Sequence, residues 1–193
     1  FPTISQIRRE IKYSVISLFV FSFIGLFIYE SVVRGKTKMY FQISDFGIIY
    51  FLFSPFITFF IHDTYFYWTH RFMHLKKIFK YVHRAHHMST NPTPYAIFAF
   101  QPIEALINSA VYPMILFAMP VHPVIFIIFM VYNLINNLFG HSGYEFIPSR
   151  YSQNWFFKWQ NSVTCHDMHH TNVNCNYGNH FTFWDKWMKT YKS

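Results

Sequence analysis

From Ala105 to Gly140 the chain carries no Asp, Glu, Lys or Arg. A bilayer crossing takes roughly 20 largely apolar residues in one helix, so this run is too long for one crossing and suits two short ones. The break between them falls at Met119-Pro120-Val121-His122-Pro123, where two prolines stop helices. Two more apolar stretches precede it, from about Tyr13 to Val33, interrupted only by Glu30, and from Phe46 through Ile61. The chain is 52% hydrophobic and only 12% charged, too apolar for an ordinary soluble domain. The expected fold is all-α, an integral-membrane bundle of about four transmembrane helices. We treat residues 1–193 as a single domain, with 1–45 as an N-terminal span and loop and 46–193 as the region that carries the motifs. The first residue is Phe1, so the native start is expected to lie upstream, and a signal peptide or fused module there stays open.

Three histidine clusters punctuate this apolar background: His70-Arg-Phe-Met-His74, His83-Arg-Ala-His86-His87 and His166-Asp-Met-His169-His170. Residues three and four apart share a helix face, so each cluster is expected to aim its imidazoles at one spot. A single histidine is more often a packed or surface residue than a ligand. Clustering reverses that expectation, because buried imidazoles need partners. Eight nitrogen ligands exceed what one metal ion uses, and imidazole suits iron, zinc or copper better than calcium or magnesium. His62 and His122 are expected to be packing or turn residues, and Cys165 and Cys175 packed thiols with no disulfide framework.

The clusters also constrain topology. If the first two follow the second span and the third follows the fourth, an even number of crossings separates them and all three share one side. Of the sixteen Lys and Arg residues, only Arg34, Lys36 and Lys38 fall between the first two spans. The other thirteen lie on the side of the histidines, which the positive-inside rule makes cytoplasmic. The net charge of +8 does not point to nucleic acid, because the basic residues, including the run Lys76, Lys77, Lys80, Arg84, border apolar spans where anionic headgroups attract them. An acidic electron-donor protein can use the same stripe.

Asp63 lies seven residues before His70, two helical turns away on the same face. A carboxylate there can orient an imidazole ligand by accepting its second N–H, and Asp167 and Glu145 are candidates for the same task. Glu145 can alternatively bind metal directly, although a surface carboxylate is the expected case.

Taken together, Asp63-Thr-Tyr-Phe-Tyr-Trp-Thr-His70-Arg-Phe-Met-His74, His83-Arg-Ala-His86-His87, Asn91-Pro-Thr-Pro-Tyr-Ala, Gln101-Pro-Ile-Glu104, His141-Ser-Gly-Tyr-Glu145, His166-Asp-Met-His169-His170, Asn176-Tyr-Gly and Trp184-Asp185 resemble the fatty acid hydroxylase and sterol desaturase superfamily of membrane di-iron enzymes. The resemblance runs in order from about Phe46 to the C-terminus. It implies a four-helix stem under a cytosolic, histidine-rich helical cap, with two iron ions held by His70, His74, His83, His86, His87, His141, His166, His169 and His170, and with zinc able to substitute in purified protein. Asn137 is a further candidate acting through water, since Asn137-Leu-Phe-Gly-His141 matches a pair found in related desaturases. A helix-end amide paired with backbone is the alternative reading. The chain departs from the family at Gln101, where His is frequent, and at Trp187-Met-Lys189-Thr. His180 stands where the family usually has an apolar residue and is expected to support the site from behind or to be structural.

The implied activity is O2-dependent oxidation of a lipid C–H bond, hydroxylation first and desaturation as the alternative. The substrate class is a sterol, fatty acyl chain or related lipid that enters from the bilayer along Pro92, Pro94 and Tyr95. Electrons come from a separate donor protein. The location is the bacterial inner membrane or the endoplasmic reticulum. A zinc hydrolase or metal carrier is the competing class, disfavoured because carriers place ionisable groups within their spans.

Overall fold

The computed structural model describes residues 2–89, 93–145, 154–155 and 157–192, and within them the chain is helical, with no strand beyond isolated bridges. Four long helices form the stem: α1 (Ile4–Val33), α2 (Gly47–Met73), α5 (Pro102–Ala118) and α6 (Pro123–Gly140). Two short helices, α3 (Lys76–Val82) and α4 (Arg84–His87), follow α2, and α7 (Val163–Thr171) and α8 (Phe183–Trp187) follow α6. Three of the stem helices are long and apolar enough to cross a membrane, and α5 is a shorter apolar helix. Their outward faces are lined with exposed Phe, Ile and Leu, as in α1 at Phe19, Phe23 and Leu26 and in α2 at Ile49, Phe53 and Phe56.

The expected break between α5 and α6 is present, with prolines at the start of both helices. Proline at a helix start costs nothing, because its missing N–H would have no intrahelical partner there. His122 caps α6 by accepting the Val124 N–H, so its expected turn role holds. The end of α5 and the turn pack on the α1–α2 loop and the start of α2: Lys38 N–H donates to Leu116 O, and the Tyr50 hydroxyl donates to Pro120 O at 2.8 Å. Val111, Ile115, Leu116, Ile125, Phe126 and Phe129 form the buried core of this half of the stem. All three histidine clusters sit at the opposite end.

Thirty residues make α1 about 45 Å long, more than a bilayer core of about 30 Å requires. Its first turns extend alongside the cap and carry a buried polar seam at Gln6, Glu10, Ser14 and Ser17. The seam grips the segment that follows α4. Thr93 donates to Glu10 at 2.5 Å, Ser14 to Tyr95 O at 2.5 Å, and Ser17 to Phe100 O at 3.2 Å. The sequence expectation for α1 was an apolar span alone.

Candidate metal centre

The nine expected histidines come together in two groups. His70, His74, His83, His87 and His169 form one, and His86, His141, His166 and His170 the other, with the ligating nitrogens of each group within 4.8 Å of one another. The groups adjoin, His87 and His170 having ring centroids 4.8 Å apart. The division differs from the expectation that each cluster serves one spot. Pairs four apart stay together, as in His70/His74, His83/His87 and His166/His170, whereas His86 and His169 cross to the other group. Adjacent helical residues point about 100° apart, so each His-His doublet straddles the two groups.

Whether these nitrogens fit a metal is decided by where their protons are. His70 Nδ1 faces the Tyr177 carbonyl at 2.8 Å and His169 Nδ1 the Cys175 carbonyl at 2.6 Å. A carbonyl only accepts, so both Nδ1 atoms carry the proton and both Nε2 atoms present lone pairs. Yet His70 Nε2 lies 3.0 Å from His83 Nε2 and 3.3 Å from His74 Nε2, and His169 Nε2 lies 3.2 Å from His87 Nε2. Two ligands about 2.1 Å from one metal stand about 3.0 to 3.4 Å apart across angles from 90° to tetrahedral. The five-histidine group therefore has the spacing a cation requires. In the second group His166 and His170 Nε2 are 3.2 Å apart. Burial, assisted by neighbouring imidazoles, holds His74 down to about pKa 3, while His141 and His169 stand at about 4. All three are thereby kept in the neutral form that binds metal.

The residues behind the histidines were only partly foreseen. Glu104, at the start of α5, accepts from His83 Nδ1 at 2.5 Å and is itself fully buried. It stands in the Gln101-Pro-Ile-Glu104 motif, yet sequence spacing assigned it no role. Asp63 does not reach an imidazole ligand. Its Oδ1 instead accepts the His180 backbone N–H at 2.7 Å. Asp185 works in the same way, taking the Tyr177 and Gly178 N–H groups at 2.9 and 2.8 Å. These two carboxylates hold the loop whose Tyr177 carbonyl orients His70. A Cβ at Gly178 would run into the Phe181 carbonyl oxygen, so the loop closes only around glycine. Glu145 accepts the N–H and hydroxyl of Thr164 at the start of α7. Asp167 is exposed. Asn137 donates to Asn133 O and Oδ1 at 2.8 and 3.1 Å. His180 is buried against His62, with ring centroids 4.9 Å apart.

A model of the fatty acid hydroxylase family matches residues 55–190, and lathosterol oxidase of Rattus norvegicus is 34% identical over 188 residues, 94% of this chain and 60% of the relative. The chain belongs to the fatty acid hydroxylase family. Lathosterol oxidase of Homo sapiens is 31% identical over 186 residues, 94% of this chain and 60% of that protein. A Delta(7)-sterol 5(6)-desaturase of Gibberella zeae is 28% identical over 189 residues, 98% of this chain and 57% of that protein. The chain thus spans less than two thirds of the length of these relatives. No solved structure matches it.

In this fatty acid hydroxylase family member, an apolar cavity of about 350 Å³ lies under the histidines. It is walled by α1, α2, α5 and α6 and by the segment 97–100. Phe66 and Phe100 line it with ring centroids 5.1 Å from His70 and 5.3 Å from His86 respectively. Of the expected lining residues, Pro92 lies outside the described residues, and Pro94 and Tyr95 are not in the wall. The turn Pro94–Phe98 directs Tyr95 outward, where it is 54% exposed, and places Ile97 and Phe98 on the cavity instead. Cys165 and Cys175 are buried free thiols, as expected.

Proposed function

We propose that the chain is the membrane-embedded domain of an O2-dependent di-iron oxidoreductase that oxidises a C–H bond of a sterol-type lipid. The observation that supports this most is that an apolar cavity comes up to two convergent histidine groups, separated from them by Phe66 and Phe100, in a stem of apolar helices. Iron, when bound to those histidines, supplies O2 activation and hydrogen abstraction from an unactivated carbon, using two electrons from outside. The rest is done by the chain. Glu104 and the Cys175 and Tyr177 carbonyls fix imidazole tautomers, Phe66 and Phe100 exclude water between lipid and histidines, and the cavity holds the carbon in place.

The sequence reading puts an alcohol product first, although the motifs themselves do not distinguish hydroxylation from desaturation. The names of the relatives, desaturases and an oxidase of sterols, favour removal of a hydrogen pair, and an alkene is the product expected here. Thirteen of sixteen basic residues support a cytoplasmic position for the histidines, at the endoplasmic reticulum or a bacterial inner membrane. Exposed Lys76, Lys77, Lys80 and Arg84 beside the cluster suit both anionic headgroups and an acidic electron donor.

The test supplies iron-loaded protein with a reductant, a sterol and labelled O2. A product lighter by two hydrogens and free of label is expected, an alcohol carrying label would mark a hydroxylase, and the zinc form should be inert because zinc has no accessible redox change. Undiminished turnover under strict anaerobiosis would overturn the proposal.

A further inference from the structure

Asp185 of the Trp184-Asp185 motif holds the loop behind His70, and its neighbour Trp184 belongs to a row of oxidisable rings. The row runs from the surface of the cap to the five-histidine group. Trp187, 58% exposed, has its ring centroid 5.3 Å from that of Trp184. Trp184 stacks on buried Tyr67 at 5.9 Å, and Tyr67 meets Tyr177 edge-on at 6.1 Å. Tyr177 then faces three ligands at once, its centroid 5.2 Å from His74, 5.6 Å from His169 and 5.7 Å from His70. All of these separations are those of rings in contact. Exposed Trp68 touches both Tyr67 and Trp184 and gives the row a second outer end.

The rings between cavity and ligands are of another kind. Phe66 stands against His70 and Phe100 against His86, and a phenyl ring gives up an electron far less readily than a phenol or an indole. None of the rings of the row lines that cavity. The hydroxyl of Tyr67, moreover, has a proton acceptor in place. It accepts from Arg71 Nη1 at 3.1 Å and lies 3.0 Å from Thr190 Oγ1, whose own proton goes to Asp185 Oδ1 at 2.7 Å. Both Asp185 oxygens also accept backbone N–H groups, as a carboxylate does. The direction is thereby fixed: Tyr67 donates to Thr190, and Thr190 to Asp185. Burial raises the Asp185 carboxyl above the usual carboxylate range, which favours taking up a proton. A phenol that loses an electron becomes a strong acid, and this relay receives what it sheds.

We propose that this row discharges oxidising equivalents from the five-histidine group when no lipid C–H bond is there to receive them, a role that rests on the O2-dependent oxidase reading. One electron passes from Tyr67 through the Tyr177 ring to the metal site. The phenol proton moves to Thr190 as the Thr190 proton moves to Asp185. Trp184 then returns an electron to Tyr67, and the proton comes back from Asp185 by the same relay. Trp187 refills Trp184, and an external thiol refills Trp187 while giving its proton to water. The net transfer is one electron from the thiol to the metal site, with every side chain restored.

The test has two arms, both read by electron paramagnetic resonance. In the first, reduced, iron-loaded protein in detergent and free of lipid is mixed with O2 and freeze-quenched. A tyrosyl signal that narrows with ring-deuterated tyrosine is expected. It should vanish in Tyr67→Phe at unchanged iron content and outlive the wild-type signal when Trp68→Phe and Trp184→Phe are combined, since nothing then refills it. The second arm uses metal-free protein with a ruthenium polypyridyl photo-oxidant tethered at Met188→Cys, beside Trp187. A flash in the presence of an electron-accepting quencher should oxidise Trp187 and move the vacancy inward to Tyr67. That signal should again vanish in Tyr67→Phe and should form about 100-fold more slowly in Thr190→Val, which lacks the relay hydroxyl. A role in packing alone predicts no signal to change. Absence of a tyrosyl signal in the second arm, a signal kept in Tyr67→Phe, or an unchanged rate in Thr190→Val would each overturn the proposal. A second-arm signal with no O2-dependent lipid turnover would overturn the oxidase reading and this proposal with it, whereas turnover with no first-arm signal would overturn this proposal alone.

Discussion

The two histidine groups differ in how firmly they are held. In the five-histidine group, three rings have their second nitrogen fixed, His70 and His169 by backbone carbonyls and His83 by Glu104. In the four-histidine group, Nδ1 of His86, His141 and His170 is buried without a hydrogen bond among the described residues. Partners behind a ligand set its tautomer, orientation and basicity. On the proposed function, the first group is the one expected to retain its metal more firmly, although His87 Nδ1 there is also without a hydrogen bond among the described residues. The second, with four histidines rather than five, would leave the more room for a further ligand, as catalytic metal sites do.

The sharpest way to break that contrast is to remove one ligand from each group. His169→Ala and His166→Ala should each lower turnover by more than about 100-fold, beyond the roughly 10- to 100-fold typical of residues behind the ligands. Iron analysis should separate them. His166→Ala should keep about one tightly held ion per chain, and His169→Ala should lose the ion that resists chelation. Equal iron loss in both would mean that the groups bind as one cooperative unit.

Next in size are the supports. Glu104→Gln and Asp185→Asn should weaken retention by about 10- to 100-fold, and only for the five-histidine group, since the first carboxylate faces His83 and the second holds the loop that bears the Tyr177 carbonyl. Glu145→Gln, at the start of α7 on the other group's side, should change retention less than tenfold. Titration with a chelator sharpens the same point in the unmodified protein. Iron should leave in two phases, the first removing one equivalent and all turnover, and a single phase would erase the distinction. The smallest effect belongs to the cap of α7, where Ser162 accepts the Cys165 N–H at 3.1 Å. Ser162→Ala should cost about 1 kcal/mol of stability, read as a modest drop in thermal midpoint with both ions in place.

What the sequence made legible follows from how local each signal is. The pairs His70/His74, His83/His87 and His166/His170 are readable because one helical turn fixes them. The crossing of His86 and His169 was not, since which neighbour a doublet faces depends on how α4 and α7 pack. The spans and the proline break were legible from composition. Glu104 stood in plain view, but its partner His83 is 21 residues away and reached only through the fold. The carbonyls behind His70 and His169 belong to a loop near the C-terminus and leave no trace in residue identity. The seam of Gln6, Glu10, Ser14 and Ser17 had a readable helical spacing, but its first half, Gln6 and Glu10, fell before the span taken to begin at Tyr13.

The crossing of the doublets also bears on biogenesis. Each group takes ligands from α2 or α6, from α4 and from α7, so neither has its full set until the residues after α6 have emerged from the ribosome and folded back over the stem. Completion of either ligand set is then a late event in the life of the chain, and a protein truncated before α7 should insert its helices yet keep only four histidines of the first group and two of the second.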